Sequence, residues 1–526
     1  MGTERFNDPS KGRVSRRYVL KMGGALGLAS LLPAGTQNPS LGPTVANAAT
    51  PATNVLRIGF DLDPVSFDAR VTPPTSAVAL IMHVTEPLLH RDRNMKAIGV
   101  LAESWEPIAG KGWRFKLRKG VKFHNGEDFN AESVKYTVES LKDQSLKWIH
   151  PNCRSYVAVI DRVEIEDPYT VLLVTKRFSR SLPGCLTIVQ MLPPKYASQT
   201  GQQFGLKPIG TGRYRFIEYV PGMRAVMDAN PDYWGAKAHN SGLEIRFLKE
   251  NATRLAALES GEVKLINNVP PDAVGRLKSR GDLVVAVVPT ARVMKLEMEF
   301  ERGVFADKRV RHAMNYAVDK EALVKSIMGG MAEVARNPWH PSMMGTNKSL
   351  PQYDYNPDKA KQLLAEAGYP NGVEISFGSP AGRYLQDKLV SEAIAQQIAK
   401  SGFKAALDAR EWGSYWTNFT GRKYDVGLVG RAPQTLDPDW TALDYVKANL
   451  SGYKNARVSE LFDAADSTTD MGKADKMYQE IQALLWEDAQ CVWLYFQPVI
   501  DAHSKQVQGW APRTDEYSFY WDASVS

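Results

Sequence analysis

Apolar and polar residues alternate along Trp113, Phe115 and Leu117, and the alternation resumes at Val121 and Phe123 after Lys119-Gly120. A period of two broken by a glycine turn predicts a β-hairpin. "VEIEDPYTVLLVT" (163–175) repeats the pattern and predicts a second hairpin, turning at Asp167-Pro168. "VLRIGFD" (55–61) reads as a first strand after a short Ala/Thr/Pro-rich lead-in at 47–54. Elsewhere the apolar spacing lengthens to that of a helix. Asn130 caps a stretch that carries Val134, Val138 and Leu141 on one face. Asn251 is expected to cap a helix bearing Leu255 and Leu258 and stopped by Gly261. Val310, Met314, Ala317 and Val318 form another stripe, and Asp319 opens a following helix that runs towards Gly329-Gly330. Asn356 with Pro357 just inside, then Leu363, Leu364 and Gly368, punctuates a further helix at both ends. No repeat of 20 to 50 residues is visible. Strands interspersed with helices throughout predict a mixed α/β protein.

The first fifty residues follow a different pattern. Arg13, Arg16, Arg17 and Lys21 precede an apolar run of eleven residues, Met22 to Leu32, and Ala46-Asn47-Ala48 offers a small-residue cleavage site. These are the three parts of a secretory signal. The run is well short of the ~20 residues that span a bilayer. Ser15-Arg16-Arg17-Tyr18-Val19-Leu20-Lys21 resembles the twin-arginine export motif, with Val19 where Phe is usual. Residues 1–48 are therefore expected to be an address, cut near Ala48, and the rest of the chain to work in the periplasm. No Cys follows the run, so a lipid anchor is not expected.

Charge changes its meaning once that segment is set aside. The whole chain carries +7, but residues 1–48 hold six basic and two acidic residues, leaving 59 basic, 56 acidic and a net +3. That balance gives no basis for nucleic-acid or membrane binding. About 478 remaining residues exceed the ~250–300 at which single cores stop growing, so two lobes are expected. No stretch after the signal has the ~18 uninterrupted apolar residues of a membrane span. Three cysteines, Cys153, Cys185 and Cys491, are too few for a disulfide scaffold, and an odd number leaves at least one unpaired in a monomer.

A search for catalytic patterns finds little. The chain has no phosphate-cradling G-x-x-x-x-G-K-[ST] loop, no H-E-x-x-H helix and no G-x-S-x-G elbow. Eight scattered histidines and three distant cysteines form no readable metal site. No cofactor and no metal are expected, and the weight moves towards binding rather than chemistry.

Four collinear stretches carry a resemblance. "LAESWEPIAGKGWRFKLRKGVKFHNGEDFNAESVKYTVESL" (101–141), "PIGTGRYRFIEYVPGMRAVMDANPDYWG" (208–235), "FADKRVRHAMNYAVDKEALVKSIMGGMAEVA" (305–335) and "YDYNPDKAKQLLAEAGYPNG" (353–372) resemble the peptide/nickel/opine family of extracytoplasmic solute-binding proteins. The resemblance implies a two-lobed α/β periplasmic-binding-protein fold of the large, peptide-binding type, with two hinge-crossing strands. It implies a signal peptide at 1–48, lobe I at 49–290 plus 498–526 with an inserted subdomain near 75–200, and lobe II at 291–497. It also implies a monomeric receptor without enzymatic activity. Such a receptor closes on a small-molecule ligand and delivers it to an inner-membrane ATP-binding-cassette permease.

"REWGSYWTNFTGRKYDVGLVGRAPQTLDPDW" (410–440) resembles the family's pocket-lining segment. Dipeptide-type members hold the peptide ammonium with an aspartate just before D-P-D. Aligning Asp437-Pro438-Asp439 puts Gln434 there, an amide without the charge that makes an ammonium contact strong. Gln434 and the nearby Arg431 point to a solute with an anionic group rather than to ordinary peptides. Arg383 approximates a carboxylate-binding arginine of some relatives, a task that suits a planar guanidinium. Trp412, Trp416 and Trp440 are candidates for stacking on the ligand, Tyr384 and Arg431 sit beside pocket segments, and Phe67 and Asp68 lie in the family's first loop over the cleft. The alternatives are an ordinary peptide receptor whose Asp437 or Asp439 takes the amine, a metal-chelate or haem carrier, and an exported hydrolase.

Overall fold

The structure, a computed structural model, describes residues 54–526 except 65, 72–74, 434 and 442–449, with backbone alone at 75, 76 and 440. The proposed signal peptide lies outside the described residues, as does Gln434.

Two mixed sheets organise the chain. In the seven-stranded sheet Val55–Phe60 pairs in parallel with Gly242–Phe247 on one side and Leu265–Ile266 on the other. Val499–Ser504, Leu283–Val288, Arg224–Ala229 and Tyr214–Val220 complete it with antiparallel pairings. In the six-stranded sheet Val373–Pro380 pairs in parallel with both Phe403–Arg410 and Val426–Arg431. Val293–Met298, Cys491–Phe496 and Glu333–Val334 extend it antiparallel. The chain passes from the first sheet to the second between Val288 and Val293 and returns between Phe496 and Val499. The two passages are bonded to each other: Thr290 Oγ1 donates to the Gln497 carbonyl at 2.7 Å, and the Gln497 N–H donates to the Arg292 carbonyl at 2.9 Å.

A separate four-stranded antiparallel sheet runs Ala102–Ile108, Gly112–Leu117, Thr170–Thr175, Ile160–Asp167. The expected 163–175 hairpin is there, its first strand starting earlier at Ile160, and it is closed by the Asp167–Thr170 pair. The expected 113–123 hairpin is not. Gly120 does turn the chain, at φ 74°, but Gly112–Leu117 pairs with Ala102–Ile108 and Thr170–Thr175 instead. Val121 and Phe123 go into the core beyond the turn. Alternation shows a strand and its buried face but not its partner.

Most helix punctuation holds. Asn130 caps Ala131–Lys142, Asp319 caps Lys320–Ser326 and Asn356 caps Pro357–Glu366, each accepting a first-turn N–H through its side chain. Val134, Val138 and Leu141 are buried. Asn251 is the exception. It is the first residue of the helix Asn251–Glu259, not its cap, and its side-chain oxygen accepts from Arg254.

Two of the quoted family stretches, 101–141 and 208–235, meet beside one buried carboxylate. Glu86 accepts from Thr211 at 2.8 Å, Tyr233 at 2.6 Å and the Trp234 indole at 3.0 Å. The His124 N–H donates to the Gly210 carbonyl at 2.8 Å, and Asn230 Nδ2 donates to that of Gly212 at 3.2 Å. A Cβ on Gly210 would sit 2.0 Å from the Val84 carbonyl oxygen, so only glycine fits there. These motifs build scaffold.

Candidate functional site

In open α/β sheets the crevice for a ligand lies beyond the carboxyl ends of parallel strands, and here both sheets contribute such ends. Asp61 follows Val55–Phe60, Lys249 and Glu250 follow Gly242–Phe247, and Asn268 follows Leu265–Ile266. From the six-stranded sheet, the 381–386 loop follows Val373–Pro380, while Glu411 and Trp412 follow Phe403–Arg410. All of them line one cavity of about 710 Å³. That is within the ~300–1,000 Å³ of small-molecule sites. A smaller cavity of about 90 Å³ adjoins it, sharing Asp61, Asn268, Arg383 and Tyr384 and reaching Gln497 and Asp501 at the crossing.

The 381–386 loop is built to present Arg383. Asp387, the first residue of the helix Asp387–Ala399, accepts the backbone N–H groups of Gly382, Arg383 and Tyr384 at 3.0, 2.8 and 2.9 Å. Gln386 takes the left-handed φ of 55° that turns the chain into the helix. Tyr384 is buried and donates its hydroxyl to the Gly430 carbonyl at 3.1 Å. A Cβ on Gly430 would lie 2.7 Å from the Tyr384 ring, so glycine makes room for that ring. The Arg383 guanidinium then lies 5.4 Å from the Tyr384 ring centre and 5.3 Å from that of Trp412. It makes no hydrogen bond or ion pair among the described residues. Burial lowers its pKa, and Tyr384 and Asp61 oppose that effect; an arginine stays charged regardless.

Trp412 and Trp416 stand one turn apart on the helix Trp412–Thr420 and stack with centres 5.0 Å apart. Arg431, at the end of Val426–Arg431, lies over Trp416 at 5.5 Å. Tyr384, Arg383, Trp412, Trp416 and Arg431 thus follow one another in a row of rings and cations, of which Tyr384, Arg383 and Trp412 line the cavity and Trp416 and Arg431 do not.

The other candidates lie elsewhere. Asp437 and Asp439 are both held by Arg180: two bonds to Asp437 at 2.8 and 3.0 Å and one to Asp439 at 3.0 Å, with a fourth to the Tyr478 hydroxyl at 2.7 Å. Burial first, then Asp437 and Asp466, pushes the Asp439 carboxyl well up despite Arg180. Asp466 joins the same contact, accepting from Arg177 at 2.9 Å and from the Ser181 N–H at 3.0 Å. This cluster ties the 177–181 segment to the lobe of the six-stranded sheet. An amine-holding role for Asp437 or Asp439 would compete with Arg180.

Phe67 and Asp68 stand apart from the site: both are fully buried and line neither cavity. Phe67 packs on Phe216 and Tyr219. Asp68 pairs with Arg70, whose guanidinium lies over Trp148 at 4.7 Å. Gln434 and the Trp440 side chain lie outside the described residues. Cys153, Cys185 and Cys491 form no disulfide with one another.

Sequence reading missed Asp61, Asn268 and Asp501. Their signal was topological, the carboxyl end of a predicted first strand and a crossing segment, and no local spacing marks them.

Residues 96–451 match the sequence profile of bacterial extracellular solute-binding proteins, family 5. The glutathione-binding protein GsiB of Pectobacterium atrosepticum is 29% identical over 456 residues, 83% of this chain and 87% of the relative. Among solved structures, the Helicobacter pylori periplasmic binding protein DppA in complex with the peptide STSA superposes with TM-score 0.82 at 24% identity, covering 90% of this chain and 98% of that one. The PBP AgaA from A. tumefacien R10, in complex with agropinic acid, gives TM-score 0.81 at 24% identity, covering 90% and 99%. The two-lobed periplasmic-binding fold is therefore shared. With its carboxyl-end cleft between two sheets joined by two crossings, the chain belongs to the bacterial extracellular solute-binding proteins of family 5, the small-solute receptors of ATP-driven importers.

Proposed function

We propose that this receptor captures a small organic solute through an anionic group, with a ligand carboxylate docking on Arg383, and hands it to an inner-membrane permease. One observation carries the reading. Arg383 brings an otherwise unbonded guanidinium, shelved between Tyr384 and Trp412, to a cavity of about 710 Å³. A charge-assisted bidentate contact there contributes about 1.5–3 kcal/mol per hydrogen bond. The relatives support the class: GsiB is named for glutathione, and AgaA is solved with agropinic acid.

The remaining parts of the reading follow the sequence. The 1–48 segment is a twin-arginine signal cleaved near Ala48, and the mature receptor is a periplasmic monomer without enzymatic activity. Lobe I is 49–290 plus 498–526, lobe II is 291–497, and Gln434 stands where peptide receptors carry an aspartate.

The test is calorimetry on the mature chain stripped of bound solute, with glutathione, agropinic acid, dipeptides and uncharged sugars as probes. At least one carboxylate compound should bind, and Arg383→Ala should weaken it by 10-fold or more. Equal binding by the variant, or binding of the uncharged sugars alone, would sink the reading.

A further inference from the structure

The lobe I side of the small cavity carries two carboxylates that the mechanism so far leaves idle. Asp501, on Val499–Ser504, is 1% exposed and lines that cavity. One of its oxygens accepts the Asn268 N–H at 3.1 Å. The other, Oδ2, is buried with no hydrogen-bond partner among the described residues. Asp61 lines the same cavity and is aimed by two amides: Asn267 Nδ2 donates to Oδ1 at 2.7 Å and Asn268 Nδ2 to Oδ2 at 2.9 Å.

No cation is spent on either acid. Arg254 is 1% exposed and close by, but its guanidinium goes to the carbonyls of Asn267, Leu248 and Asn268 and to the Asn251 side chain. Arg292 is taken by Glu516, with Nε 2.9 Å from Oε1. Among the described residues neither Asp61 nor Asp501 forms a salt bridge. The charged lining is thus two carboxylates from one lobe, Arg383 from the other, and the Arg292–Glu516 pair that cancels itself. A buried carboxylate oxygen without a donor is costly, and Asp501 lines the cavity from which a donor could reach it.

We propose that the solute carries a free α-amino-acid head, its ammonium taken by Asp501 and Asp61 and its carboxylate by Arg383. This rests on the reading of Arg383 given above and moves the amine anchor away from the 434–439 segment. Ammonium and carboxylate sit on one carbon, and the two subsites line one cavity, so a single head group would bridge the lobes and favour closure. Titration should report it. Burial, with Asp61 adding to it, pushes the Asp501 carboxyl up to about 7, against the Asn268 N–H and Arg254. The other titratable group that feels it is Tyr520. An arriving ammonium favours the ionised form, so binding near neutral pH should expel a proton.

The experiment is calorimetry on the stripped mature chain with matched probes: glutathione, alanyl-glutamate and glutamate, each beside its N-acetyl derivative, with tricarballylate as an amine-free anion. At least one free-amine compound should bind, N-acetylation should weaken it 30-fold or more, and two buffers of different ionisation enthalpy should reveal proton release near pH 6.5. Asp501→Asn, checked for folding by its ligand-free melt, should abolish that release and bring the acetylation penalty below 5-fold. Equal binding of free and acetylated probes, binding of tricarballylate alone, no binding by any free-amine probe, or an undiminished penalty in the variant would overturn the proposal. If Arg383→Ala binds normally while acetylation still matters, the Arg383 reading fails and the ammonium site stands.

Discussion

Replacing Arg180 by alanine should loosen the grip of one lobe on the other. Arg180 is 11% exposed in its side chain and holds both oxygens of Asp437, one of Asp439 and the Tyr478 hydroxyl. Breaking a buried pair from one side costs about 3–5 kcal/mol, because it strands the other charge. Asp439 softens that loss, since its raised pKa lets it take a proton instead of remaining an unpaired anion. Asp437 loses the fork that held both its oxygens, which puts the net loss at the lower end, about 3 kcal/mol. The contact joins lobes connected by two chain passages among the described residues, so hinged opening would break it. The loss should therefore fall on the closed state, lowering apparent affinity about 100-fold for every solute alike. Ligand-free melting should move by only a few degrees. Calorimetry with any ligand of the wild type reads the first quantity and a thermal melt the second. Arg180→Lys should recover part of the affinity, keeping the charge without the fork. Unchanged affinity in a folded Arg180→Ala variant would refute the reasoning.

Three further outcomes are expected. Asp68→Asn should destabilise the protein by about 3–5 kcal/mol in a denaturant melt, through the stranded Arg70, yet leave solute affinity within 3-fold; a selective loss of affinity would return Asp68 to the site. Gly430→Ala should push the Tyr384 ring off its seat and lower affinity for carboxylate solutes, with Arg383→Ala adding little more on top. The Asp501 carboxyl, raised from 3.8 to about 7, stabilises the ligand-free fold fully below about pH 4 and loses that contribution as pH rises through 7, at most about 4 kcal/mol. Ligand-free Asp501→Asn should therefore melt higher than wild type at pH 8 and close to it at pH 4. An equal difference at both pH values would count against a protonated Asp501.

Local structure was readable wherever the deciding contact is local. Asn130, Asp319 and Asn356 act as caps because a side chain reaches N–H groups two or three residues on, and nothing distant has to be known. The hairpin at 160–175 is legible for the same reason. Gly112–Leu117 shows the limit, because its neighbours come from 102–108 and 170–175 and alternation does not choose between partners. The site divides along the same line. Trp412 and Trp416, four residues apart, share a helix face, and the family resemblance put Arg383 and Arg431 near them. Asp61, Asn268 and Asp501 come together only when two strand ends and a third, remote strand do. Phe67 and Asp68 misled because the family's cleft loop passes close to them in sequence, while Phe216, Tyr219 and Arg70 draw both side chains inward.

The knot around Glu86 has a bearing on how such a receptor changes cargo. Two of the stretches by which the family is recognised, 101–141 and 208–235, meet there, and the cavity that Glu86, Tyr233 and Trp234 line has no residue in common with the cavities at Arg383. Substitutions that retune the solute site can therefore accumulate without touching the contacts that hold Glu86. Descent is written in one part of the molecule and diet in another. A lineage of such receptors can diversify its nutrients while its sequence signature stays still.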